Sequence, residues 1–130
     1  MSVLVPISIG ELIDKITILE IKKNKISDRE KLSNVCKELD SLMAVVSRLG
    51  IQYPDGELGL IGLELLKVNQ ELWAIEDHIR DLERIKQFDQ EFVDTARSVY
   101  IKNDQRAALK ARINHLAQSD LREEKSYAAY

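Results

Sequence analysis

Asn69, Trp73, Glu76 and Arg80 recur three and four residues apart in the stretch "VNQELWAIEDHIRDLERI" (residues 68–85), so they share one face of a helix. That face combines a carboxamide, the only tryptophan of the chain, a carboxylate and a guanidinium. Such a face is a solvated surface, a buried polar seam or a site that does chemistry, and the residue types narrow the choice. A lone tryptophan with a large apolar area usually packs, which draws its neighbours partly out of water. A buried carboxylate needs a partner, and Arg80, four residues after Glu76, is the nearest cation in the favourable order. The spacing therefore predicts a partly buried Glu76–Arg80 pair with Trp73 packed beside it.

Two other segments offer matching groups. Glu11 and Lys15 are also four apart, and Glu20 sits inside the apolar run "ILEI". Tyr100, Asn103 and Arg106 cluster further along. If these segments converge, Lys15, Arg80 and Arg106 would hold a small anionic ligand, with Glu76 orienting it or donating a proton. The same residues also read as a structural network that fixes helix register, the commoner role of polar seams between helices. The first reading makes the protein a small enzyme or ligand-binding protein; the second makes it an interaction or accessory module.

Other chemistries lack their residues. No C-x-x-C, H-E-x-x-H or E-x-x-H pattern occurs, and His78 and His115 are the only histidines, so neither a metal nor a cofactor is expected. Glu91 and Asp94 form an E-x-x-D pair without the upstream acidic motif of helical pyrophosphatases, and read as solvated acids in a first helical turn. Nineteen Lys and Arg against 22 Asp and Glu give a net charge of −3, and "QRAALKAR" alone makes no nucleic-acid surface. A single cysteine, Cys36, excludes an intramolecular disulfide; beside Val35 and Leu39 it reads as a small buried hydrophobe. No apolar run reaches membrane-span length, and "MSVLVPISIG" lacks the charged start of a signal peptide, so a cytoplasmic protein is expected.

The elements that must position these groups are helices. Five glycines and two prolines leave few turns, while 32% charged and 45% hydrophobic residues suit helices with one wet face. Ser8 and Glu11 form a capping box, as do Ser27 and Glu30. The second helix should stop at Gly50, and Tyr53-Pro54-Asp55-Gly56 reads as a turn. The third helix should run from about Leu58 to about Phe88, with a stripe from Ile61 to Leu82. Asp89 should cap the fourth, stapled by Phe88 and Val93. Asn103 and Asp104 predict a kink or break in it, and Asp120 a last short turn. The expected fold is an all-α antiparallel bundle of four main helices, one domain over residues 1–130 with a short tail from about 119. Because the first two helices are shorter than the last two, the overhang predicts a homodimer, with a further protein partner as a second occupant of exposed apolar surface.

The segments "PISIGELIDKITILEIK" (6–22), "VNQELWAIEDHIRDLE" (68–83), "FDQEFVDTARSVYIKNDQRAALKARIN" (88–114) and "EEKSY" (123–127) together resemble an uncharacterised family of small all-helical bacterial proteins, with "LWAIEDHIR" and "VYIKNDQRA" as its most specific motifs. The resemblance implies no established activity. It implies a link to cell-surface polysaccharide pathways, and it places Glu11, Lys15, Asn69, Trp73, Glu76 and Arg80 in the family's motif. Asp77, Tyr100, Asn103, Asp104 and Arg106 belong to the same motif, without roles assigned to any of them.

Overall fold

The computed structural model describes residues 1–130. It contains four helices and no strand: α1 (Ile9–Lys25), α2 (Arg29–Arg48), α3 (Gly56–Arg84) and α4 (Gln90–Leu116). The caps account for most of the boundaries. Ser8 adopts extended backbone and its hydroxyl accepts from Glu11 N at 3.0 Å, so α1 starts where the capping box predicts. α2 starts one residue later than expected. Asp28, not Ser27, is its cap and accepts from Lys31 N at 2.9 Å; a carboxylate there gains from the helix dipole as well. Gly50, with φ +68°, ends α2 as expected.

α3 begins at Gly56 and stops at Arg84, short of Phe88. Lys86 takes φ +57°, and Gln87 N donates to Leu82 O at 2.9 Å, closing the helix end four residues early. Asp89 caps α4, accepting from Phe92 N at 3.3 Å. The Phe88–Val93 staple does not form. Both side chains are exposed, and Phe88 instead meets Phe92 edge-on at 5.2 Å.

The expected break at Asn103 is absent: α4 is one helix from Gln90 to Leu116. Asn and Asp cost a helix interior well under about 1 kcal/mol each. That cost is outweighed by the ion pairs on either side, Lys102 with Glu71 of α3 and Arg106 with Asp14 of α1. After Leu116 the chain has no further helix, so the turn expected at Asp120 is not formed.

α1 holds the arrangement together. It makes close contacts with each of the other three helices, whereas α2 packs closely on α1 alone. Residue pairs set the directions. Ile9 meets Ser119, Gly10 meets Asn114 and Asp14 meets Arg106, so α1 runs antiparallel to α4. Glu64–Arg112 and His78–Glu91 make α3 antiparallel to α4. α1 thus lies in the groove of the α3–α4 hairpin, and Ile13, Ile16, Leu65 and Ile113 are fully buried at its centre. Each of these side chains contributes roughly 1.5–3 kcal/mol through burial. With one neighbour only, α2 buries a narrow stripe of Val35, Leu39 and Val46. Cys36, expected to be buried, is for that reason only half-buried.

The start of α1 is fastened from a distance. Its first N–H groups, which no helical turn can satisfy, donate to side chains: Ile9 N to Ser119 Oγ (3.1 Å), Gly10 N to Asn114 Oδ1 (2.6 Å) and Glu11 N to Ser8 Oγ. The close approach at Gly10 requires glycine. A Cβ there would stand 2.5 Å from Lys110 O and 2.8 Å from Asn114 Oδ1. Helix propensity alone would make Gly10→Ala stabilising by about 1 kcal/mol. The contact reverses that sign, and we expect a loss of about 1–3 kcal/mol from overpacking against backbone, read by urea denaturation.

Candidate functional site

The centre of the site is Asp14. Its side chain is completely buried, on the face of α1 turned to α3 and α4. A carboxylate in such a place must be fully paired. Arg106 Nε donates to Oδ1 at 2.9 Å and Nη2 to Oδ2 at 2.5 Å, a bidentate fork. Asn69 Nδ2 donates to Oδ1 at 2.9 Å and also to Thr17 Oγ1 at 2.9 Å, while Thr17 turns its own hydroxyl proton to Asp14 O. The hydrogen bond from Arg106 to Asp14 raises the guanidinium pKa further above its ordinary value, against the opposing effect of burial. Three helices are thereby tied at one point.

This network floors a cleft of about 550 Å³ between α1, α3 and α4. Its walls include Ile18 and Ile21 of α1, Leu72 and Trp73 of α3 and Val99 of α4. The polar lining is Asn69, Glu76, Asp77, Arg80, Asn103 and Arg106. Of the residues singled out in the sequence, Asn69, Trp73, Glu76, Arg80, Asn103 and Arg106 therefore converge, across two helices and against a third. Arg106 Nη1 and Asn69 Oδ1 are used in no hydrogen bond within the chain, which gives the floor a donor and an acceptor to spare.

Four residues do not belong to it. Lys15 is exposed, one position round the helix from Asp14, and points away. Glu11 lies at the far end of α1, where its carboxylate meets Lys110 Nζ at 2.7 Å. Tyr100 opens onto a separate cavity. Glu20 faces the segment before α3; burial raises its pKa, and it helps burial push the Tyr53 phenol to about 12.

The Glu76–Arg80 pair forms, at 3.3 Å, but it is not buried: the side chains are 52% and 79% exposed. The reason is their place at the cleft. Both residues line the cleft between the helices, where their side chains meet its open space instead of a packed neighbour. Trp73 is half-buried one turn earlier and lines the cleft together with Ile18 and Ile21 of α1.

Sequence reasoning passed over Asp14 and Thr17. A signal existed: α1 carries a wide apolar face (Leu12, Ile13, Ile16, Leu19, Ile21), and a helix with so broad a face packs against several neighbours, which can bury polar residues such as Asp14 and Thr17 as well. It also passed over a second charged cluster, the buried Lys110 with the partly exposed Glu11 and Glu123, each at 2.7 Å. Burial lowers the Lys110 pKa, but the two carboxylates outweigh it and the net shift is upward; Glu123 is pulled below its ordinary value chiefly by its hydrogen bond from Lys110. This cluster ties the tail to α4 and lies at the opposite end of α1 from the cleft.

The two ion pairs should respond differently to mutation. Asp14→Ala strands Arg106 beside a buried void and should cost about 3–5 kcal/mol, and Asp14→Leu with Arg106→Met should recover much of that loss. Glu76→Ala and Arg80→Ala should each cost under about 0.5 kcal/mol with negligible coupling. Urea denaturation of both double-mutant cycles measures this. A Glu76–Arg80 coupling as large as that of Asp14–Arg106 would contradict the exposure described above.

No match to this chain was found among curated proteins or among solved structures. A family model, described as a family of unknown function (DUF6165), matches residues 3–130. That span is nearly the whole chain and includes every residue of the cleft, so the protein belongs to this family of unknown function.

Proposed function

We propose that the protein is a ligand-binding accessory module whose cleft takes a neutral, polyhydroxylated small molecule, a saccharide in the first instance. The observation that carries this reading is the balance of charge over an apolar wall. Arg80 and Arg106 face Glu76 and Asp77 in the lining, and Asp14 lies directly under Arg106. Each arginine already has a carboxylate, and Lys15, which would have made the site cationic, is turned away. A multiply charged anion would find no surplus of positive charge here. Sugar hydroxyls both donate and accept, and the lining supplies both: carboxylates and Asn69 Oδ1 to accept, Arg106 Nη1 and the Asn103 amide to donate. The C–H face of a sugar ring suits Trp73. The volume lies within the range of small-molecule sites. A saccharide ligand also agrees with the link to cell-surface polysaccharide pathways that the sequence resemblance implies.

As the chain's only tryptophan lines the cleft, it reports binding directly. Titration with a panel of neutral hexoses, hexosamines and deoxyhexoses should change Trp73 fluorescence saturably for at least one member. Inorganic phosphate and citrate should leave it unchanged. Asn69→Leu should abolish the response. A response to the anions alone would reverse the assignment to the anion site that the sequence first suggested.

The module is further proposed to be a cytoplasmic homodimer. No helix is long and apolar enough to cross a membrane. α3 and α4, of 29 and 27 residues, span about 40 Å each, against about 25 Å for the 17 residues of α1. The hairpin tip beyond α1 carries Ile85, Phe88 and Val93, all exposed, and a second copy would cover them. Light scattering should give about twice the chain mass of 14.9 kDa, and Phe88→Glu should return it to one. A wild-type monomer at micromolar concentration would refute the dimer without touching the cleft.

A further inference from the structure

We propose that the cleft continues over α4 into a second sugar subsite built by the C-terminal tail, so that the preferred ligand is an oligosaccharide rather than a single sugar. This rests on the saccharide reading of the cleft and extends it. A second cavity, of about 590 Å³, lies on the far side of Val99 and Asn103, and these two residues line both cavities. The two hollows therefore share a wall, one α-helical turn wide. Across that wall the lining is again aromatic and charge-balanced: Tyr100 and Asp104 from α4, Lys125, Tyr127 and Tyr130 from the tail.

The chain has seven aromatic residues, and four of them, Trp73, Tyr100, Tyr127 and Tyr130, line these two cavities. Burial does not explain that concentration, since Tyr127 and Tyr130 are 82% and 79% exposed. Solvent-facing rings held in place are what stacking on sugar rings requires. Tyr130 is placed by its ring, which meets Tyr100 edge-on at 5.2 Å, and its interaction with the Asp104 carboxylate raises its phenol pKa. Tyr127 is held more loosely, with Lys125 Nζ 5.8 Å from its ring centre. The tail that carries them has no helix of its own and is anchored upstream by Ser119, which takes Ile9 N and donates to Leu121 O, and by the Glu123–Lys110 pair. Asn103, on the shared wall, can bond to a sugar on either side. Lys125 and Asp104 cancel in charge, so the neutral character of the first cleft is kept.

Calorimetric titration with linear neutral oligosaccharides of one to four units, drawn from the sugars of the fluorescence panel, tests the extension. Wild-type affinity should rise roughly tenfold from one unit to two or three, the scale of one or two added aromatic contacts. Tyr127→Ala, at an exposed position outside the core, should remove that rise and leave monosaccharide affinity unchanged. Tyr130→Ala should do the same. Equal affinity for all lengths, or a Tyr127→Ala loss that falls equally on the monosaccharide, would overturn the second subsite while leaving the first standing. Binding of no saccharide of any length would overturn both.

Discussion

A carboxylate with no access to water, in the middle of the central helix, sets the terms for the rest of the molecule. Asp14 can be tolerated at that position only if α3 and α4 bring donors to it, and they can do so in only one register. Shifting α4 by one residue would turn Arg106 about 100° away from Asp14 and leave an unpaired charge in the core. Apolar contacts among Ile13, Ile16, Leu65 and Ile113 supply the stability, but leucine and isoleucine pack acceptably in several registers. The ion pair selects among them. Gly10 and Asn114 enforce the same register at the other end of α1, through a backbone approach that a methyl group would block.

Much of this was legible in the sequence, and what was missed has physical reasons. Ser8, Gly50 and Asp89 announced the helix ends, because capping is local chemistry and depends on few residues. The face of Asn69, Trp73, Glu76 and Arg80 was legible because helical spacing survives any tertiary context. The exposure of Glu76 and Arg80 was not, because whether a face meets a packed helix or an open cleft is decided by tertiary packing. Lys15 was singled out in the sequence, while its buried neighbour Asp14 was not. The i, i+4 pairing of Glu11 with Lys15 suggested a charged face, while the apolar residues on either side of Asp14 pointed inward. Arg106 was singled out in the sequence, yet its partner, 92 residues away, could not be read from spacing. The continuity of α4 through Asn103 is likewise a tertiary effect: two ion pairs to different helices override a small local preference.

On the proposed reading, register device and binding site are two edges of the same side chains, as the atoms of Arg106 illustrate. Nε and Nη2 are consumed by Asp14; Nη1 is not. Asn69 divides in the same way, with Nδ2 given to Asp14 and Thr17 and Oδ1 left over. The inner edge of each side chain fixes the helices and the outer edge faces the cleft. A group locked by one set of hydrogen bonds loses little further freedom when a ligand engages its remaining edge, which is how buried support makes a binding group effective. The same locking limits what the site can attract. Since the charge of Arg106 is already met by Asp14, the guanidinium offers direction more than charge, and this is what the proposed neutral, hydroxylated ligand would use. On this argument the buried carboxylate decides the chemistry of the cleft without lining it.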